Sequence, residues 1–257
     1  MDILNNGNEI AILVGLAYFI AGIVKGVIGI GLPTTSITIM TFFISPLMAL
    51  GLNLIPMTVT NIWQFSKADD PKKIIKNYKY FALSLVFCIL FTSFYANEIG
   101  DNVVRIIFAS AVLLFVSVNF FGFNFKMNPK HDVFWQGSLG TLGGLFGGAA
   151  SIWAVPVTMY LLMKNVKPKH FVDVSGFLIT IGCIPVSFGY IATGVFQPNM
   201  FIYGALGSVT ALVGFQLGEK LRNKINAKTF KNLLLIFFSI AALKMIIQSL
   251  IEFKIFF

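Results

Sequence analysis

Long apolar runs separated by short polar breaks fill the chain, and the two-residue alternation of a half-buried strand is absent. Runs of about 18 or more apolar residues can cross about 30 Å of hydrocarbon as helices. The first covers residues 10–30 and ends in Gly26-Val27-Ile28-Gly29-Ile30-Gly31-Leu32-Pro33. A shorter run, 34–44, stops at Ser45-Pro46, because a residue before proline is steered away from helix. Residues 47–65 follow, then a charged loop at 67–79, two plain helices at 80–96 and 102–121, and a short polar loop with Lys126, Lys130 and His131. The second half repeats the plan: a glycine-dense run at 134–148, a short run at 151–163, a basic break containing Pro168, then helices at 171–191, 200–218 and after the basic loop 219–231 up to about residue 250. No Lys or Arg precedes the first run, so it lacks the basic start of a signal peptide and is expected to be a retained helix.

The two halves match in detail. Gly26-x-x-Gly29 corresponds to Gly144-x-x-Gly147, each followed by a short apolar run and a proline, Pro46 or Pro168. Seven residues past each proline stands a small polar residue, Asn53 or Ser175. Loop charge gives an orientation. The loops at 67–79, 122–131, 164–170 and 219–231 are basic, whereas 97–101 and 192–199 hold no Lys or Arg. The positive-inside rule makes the first set cytoplasmic and both termini extracytoplasmic. The two prolines then fall on opposite membrane faces, which is what an inverted repeat requires. The expected fold is an all-α polytopic membrane protein, one transmembrane domain over 1–257. Repeat one is 9–121 and repeat two 132–252, each a broken-helix hairpin plus three transmembrane helices, with the hairpins meeting near the midplane. Counting the short runs as complete helices gives more crossings.

Composition agrees: 57% of the 257 residues are hydrophobic and 11% charged, with 28 Phe and a mean hydropathy of +0.84, against about 25% charged in a soluble domain. The net charge of +9 is spread over short loops without interleaved aromatics, which argues against a nucleic-acid partner. Cys88 and Cys183 lie in apolar segments and are expected as free thiols. No P-loop, H-E-x-x-H, C-x-x-C or G-x-S-x-G motif occurs, and two loop histidines, His131 and His170, do not make a metal site. No enzyme chemistry, cofactor or metal is expected.

The candidate chemistry is that of anion binding. Lys25 is a charge inside an apolar run, which marks either a functional group or a side chain snorkelling to an interface. Lys244, nearer a helix end, fits snorkelling, and Asp173 fits stabilisation of a helix N-terminus. Gly22-x-x-x-Gly26 and Gly140-x-x-x-Gly144-x-x-x-Gly148 fit close helix packing. Gly29, Gly31, Gly147 and Gly148 have a second reading, helix breaks whose freed N–H groups and following N-termini favour an anion. Thr34, Thr35, Ser36 and Ser151 stand at those breaks, to donate to an oxyanion or to bond the preceding turn. Asn53 and Ser175 are the symmetry-related candidates on the neighbouring helices.

The run Gly22-x-x-x-Gly26-x-x-Gly29-x-Gly31-x-Pro33 and then Pro46-x-x-Ala49-x-x-x-Asn53 resembles the first half of the sulfite exporter TauE/SafE family. Gly140 to Ser151, Pro168 to Ser175, and Gly214-x-x-x-Gly218 with Leu221 and Phe230 resemble its second half. Two departures bear on the substrate: Asn53 stands where Ser is common, and Ala149-Ala150 follow Gly148 where a longer glycine run is usual. The resemblance implies a multi-pass transporter of the cell inner (plasma) membrane, an exporter of small sulfur-containing anions such as sulfite or organosulfonates. Its partners would be a small anion and the lipid bilayer, with a homodimer left open. A membrane-embedded enzyme or accessory subunit, and a passive anion channel, are the alternatives.

Overall fold

The computed structural model describes residues 7–121, 127–222, 224 and 227–255, and among them there are helices and no strand. The elements are α1 (Gly7–Ile28), α2 (Leu32–Met40), α3 (Pro46–Ser66), α4 (Pro71–Asn77), α5 (Lys79–Ser93) and α6 (Gly100–Phe121) in the first half. The second half has a single 3-10 turn at Pro129–His131, then α7 (Asp132–Ala150), α8 (Ala154–Met163), α9 (Pro168–Ala192), α10 (Met200–Arg222) and α11 (Ala227–Ile255). Lys126, placed in a basic loop above, and the side chain of Phe230 lie outside what is described.

Local chemistry explains the boundaries. Pro46 opens α3 with Ser45 as its cap, the hydroxyl accepting from Met48 N–H at 3.3 Å. Pro168 likewise opens α9, after Lys167 and without a side-chain cap. Proline suits a first helical position, where its missing N–H costs nothing. Between α1 and α2 the backbone turns left-handed at Gly29 (φ 95°) and Gly31 (φ 100°), a region that costs other residues about 1–2 kcal/mol. Between α7 and α8 the left-handed residue is Ser151 (φ 55°), whose N–H closes on the Gly147 carbonyl. Both predicted breaks therefore exist, with α8 starting three residues later than expected.

Two loops differ from expectation. The stretch 67–79 contains α4, capped by Asp70 accepting from Lys73 N–H and bent 72° from α5. The basic loop 219–231 is shorter, since α10 continues to Arg222 and α11 begins at Ala227.

α3 and α9 touch in the middle of the bundle, α10 leans on α3 and α5 on α9. Outside these, α1 lies along α10, α7 along α5, and α6 along α11. The glycines set the closest approaches. A Cβ at Gly22 or Gly26 would collide with the backbone of Ala211, Phe215 and Gly218 on α10, and one at Gly140, Gly144 or Gly148 with α5. This is close packing of small residues in place of hydrophobic driving force between helices.

Among the described residues four helices, α1, α6, α9 and α10, are long and apolar enough to cross a membrane, or five if the bent α4–α5 pair is one span. Of these, α6, α9 and α10 are among the six plain spans expected, and α1 is the first arm of a hairpin. α3 is as long, but its buried face carries Asn53, Thr60, Asn61 and Gln64, and α7 is rich in glycine. A helix enclosed by other helices need not be apolar, since protein rather than lipid covers it. The outer faces show the reverse: Ile12, Leu16 and Ile20 on α1, and Leu83, Phe87 and Phe91 on α5, are all at least 45% exposed. Apolar stripes that long fit a lipid solvent.

Candidate functional site

Buried polar residues gather along α3, where Asn53, Thr60, Asn61 and Gln64, with Met57 between them, share a helical face. Around the first of them, Tyr18 OH and Ser36 Oγ donate to Asn53 Oδ1 at 3.2 and 3.3 Å. Ser36 also returns a bond to the Leu32 carbonyl at 2.8 Å. Two turns along, the Lys25 ammonium donates to Asn61 Oδ1, and the Asn61 amide donates in turn to the Met57 carbonyl at 2.7 Å. Lys25 is 1% exposed. It therefore does not snorkel, and its hydrogen-bond partner is a neutral amide. At the end of α3, Gln64 Nε2 donates to the Val172 carbonyl at 2.6 Å and to Ser175 Oγ at 3.2 Å.

The second break is built separately. Ser151 Oγ and Tyr190 OH are 3.1 Å apart. Gly147 faces Trp153 and Ile89, and Gly148 faces Thr92 and Ser93. Trp153 covers this region and reaches Gly182 on α9. Among the described residues, four buried polar atoms have no hydrogen-bond partner: Thr35 Oγ1, Thr38 Oγ1, Gln64 Oε1 and Trp153 Nε1. Unpaired buried groups cost about 1–3 kcal/mol each and call for a ligand or a water.

The structure thus brings together Lys25 with Asn61, Ser36 with Asn53, and Ser175 with Gln64, all on one polar seam between α1, α2, α3 and α9. Thr34 and Thr35 are buried at the start of α2, where Thr35 N–H bonds the Gly31 carbonyl at 2.9 Å. Gly29 lies against Val172 near the start of α9, whereas Ser151 lies against Tyr190 near its end and Trp153 against Gly182 between them. Ser151 also ends α7 as its C-cap and does not open α8.

Asn61, Gln64, Tyr18 and Tyr190 went unrecognised in the sequence. A polar stripe on α3 at helical spacing was there to be read. The tyrosines gave no such signal, because a lone Tyr in an apolar helix is ordinary.

Elsewhere, Lys244 Nζ sits 3.8 Å from the Phe42 ring centre, and Asp173 holds Lys169 at 2.7 Å. Both thiols are free. No group of three or more His, Cys, Asp or Glu placed to hold a metal occurs among the described residues.

Comparison with curated proteins and with solved structures gives no match. The sequence model described as sulfite exporter TauE/SafE matches residues 14–245, nearly the whole of the region that carries the seam, both breaks and the glycine contacts. The chain is a membrane protein that belongs to the sulfite exporter TauE/SafE family, a family of transporters.

Proposed function

We propose that the protein is a secondary transporter that exports small sulfur-containing anions, such as sulfite or organosulfonates, across the cell inner (plasma) membrane by alternating access. The observation that carries this reading is Lys25, a buried ammonium paired with a neutral amide. A charge taken out of water needs a compensating charge, and a small anion supplies it. Thr35 Oγ1 and Thr38 Oγ1, both unpaired, are on the adjoining α2. Lys25, Thr34, Thr35, Ser36, Asn53 and Ser175 would hold the anion along the seam. Gly29 and Gly31 would form one gate, and Gly147, Gly148 and Ser151 the other.

The helix neighbours support an internal repeat. Exchanging α1 with α7, α2 with α8, α3 with α9, α5 with α10 and α6 with α11 turns the α1–α10 contact into α7–α5, and α10–α3 into α5–α9. The same exchange turns α1–α2 into α7–α8, and α6–α8 into α11–α2. With the basic loops cytoplasmic, the two halves would be inverted. The test is flux into proteoliposomes of sulfite, thiosulfate, a sulfonate and a carboxylate, with and without a proton gradient. Saturable movement of the sulfur anions in preference to the carboxylate is the expected result. No movement of any of them would remove the reading.

A further inference from the structure

A cavity of about 610 Å³ opens at the basic end of the bundle, between the α4–α5 bend, the end of α8 and the start of α9. Its wall carries Lys73, Lys164, Lys167, Lys169 and His170, set against Asp69, Asp70 and Asp173. Each carboxylate has a partner, Asp69 and Asp173 sharing one lysine. Asp70 caps α4, while Asp69 and Asp173 hold Lys169 at 3.6 and 2.7 Å. Lys164 is bound at 2.9 Å to Asp132, which is not part of the wall. Lys73 and Lys167 have no ion pair among the described residues. The wall sets four ammonium groups against three carboxylates, and Lys73 and Lys167 are exposed at its open mouth. Asp173, with a side chain 5% exposed, is the most buried charged group of the wall. Its neighbours Val172 and Ser175 touch Gly29 and Gln64, so the cavity ends where the polar seam begins.

We propose that this cavity is a loading vestibule for small anions, in which Lys73 and Lys167 draw the anion from the aqueous phase and the Lys169–Asp173 pair forms the floor over the seam. The inference rests on the transporter reading and adds the place where the substrate is first held. A cleft with low-dielectric walls and a surplus of one charge focuses field lines and raises the local concentration of the opposite ion. Asp173 belongs to the same device. By holding Lys169 it neutralises its own charge, which would otherwise repel an anion from the seam. Lys73 and Lys167 sit at the rim and act through long-range attraction, so their contribution is screened by salt, with a Debye length of about 30 Å at 0.01 M and about 10 Å at 0.1 M.

The experiment compares wild type with Lys73→Gln/Lys167→Gln in proteoliposomes whose basic face is outward. Initial rates are measured against sulfite and methanesulfonate concentration in about 0.01 M and about 0.1 M inert salt. In the double variant the apparent KM should rise about fivefold or more at low salt, with an unchanged maximal rate, and should lose most of its salt dependence. Lys73→Arg/Lys167→Arg keeps the charge and should restore wild-type behaviour. A variant with the wild-type KM at both salt concentrations, or a raised KM that Arg does not rescue, overturns the vestibule and leaves the transporter reading standing. Absence of flux of either anion in the wild type overturns the transporter reading and this inference with it.

Discussion

The Lys25 ammonium, buried between helices, rests on the side-chain oxygen of Asn61. A charge inside an apolar run is visible in one dimension. Its partner Asn61 is 36 positions away and depends on the register between α1 and α3, which the intervening hairpin sets. Charge-assisted hydrogen bonds are worth roughly 1.5–3 kcal/mol. Lys25→Met is therefore expected to weaken sulfite binding by about tenfold or more while the purified protein stays monodisperse, as read by equilibrium titration. Lys25→Arg should also bind poorly, because a planar guanidinium does not fit the place of a compact ammonium. Wild-type affinity in Lys25→Met would exclude the lysine from the site. Asp132 is a second case, at the rim of the bundle. Partial burial alone would raise its carboxyl, but bonds from Tyr160, Lys164 and Gln136, with the Lys164 charge, outweigh this and hold it below the ordinary carboxylate value. With the folded value depressed, its contribution is complete above the unfolded pKa of about 3.9 and is lost as pH falls through the folded value. The contribution of Asp132 to stability should thus stay constant between about pH 5 and 8, and Asp132→Asn should lower stability there by about 1 kcal/mol, with less further loss in acid. A variant as stable as wild type at neutral pH would show that the network contributes nothing.

Among the elements, the helix breaks were legible because glycine and proline advertise backbone conformation directly. Helix α4 was not, since Pro71-Lys72-Lys73-Ile74-Ile75-Lys76-Asn77 is too short and too basic to stand out from a charged loop. Where each glycine faces decides what an added methyl does. Gly218 meets the Ile23 carbonyl and the Gly26 backbone, whereas nothing lies within 4 Å of a Cβ at Gly137. Gly218→Ala should cost about 1–3 kcal/mol by prising α10 from α1, and Gly137→Ala should stabilise by up to about 1 kcal/mol through helix propensity. Melting curves in detergent would separate them, and equal effects of the two substitutions would contradict the close-packing account. The prolines call for a milder expectation than a helix-breaking role suggests. Pro46 and Pro168 each occupy the first turn, so alanine there removes only a preset φ, and Pro46→Ala/Pro168→Ala should retain most of its flux. A severe loss of flux at normal expression would show that the prolines do more than start helices.

For the whole molecule, membrane embedding could be read from the length of the apolar runs, while the packing of α1 on α10 and of α7 on α5 could not, because it depends on contacts between helices far apart in the chain. The proposed orientation is checked by single cysteines in a Cys88- and Cys183-free background, probed on intact cells with an impermeant reagent. Positions 97 and 199 should label and 73 and 224 should not; the opposite pattern would reverse the assignment. One feature of the bundle then has a mechanical meaning. Helix α9 leans on the first break through Val172 and on the second through Tyr190, near its two ends, and α3 packs on its first turns through Gln64 and Phe65. A single rod that touches a latch at each end ties the two together, so that a tilt at one end is felt at the other.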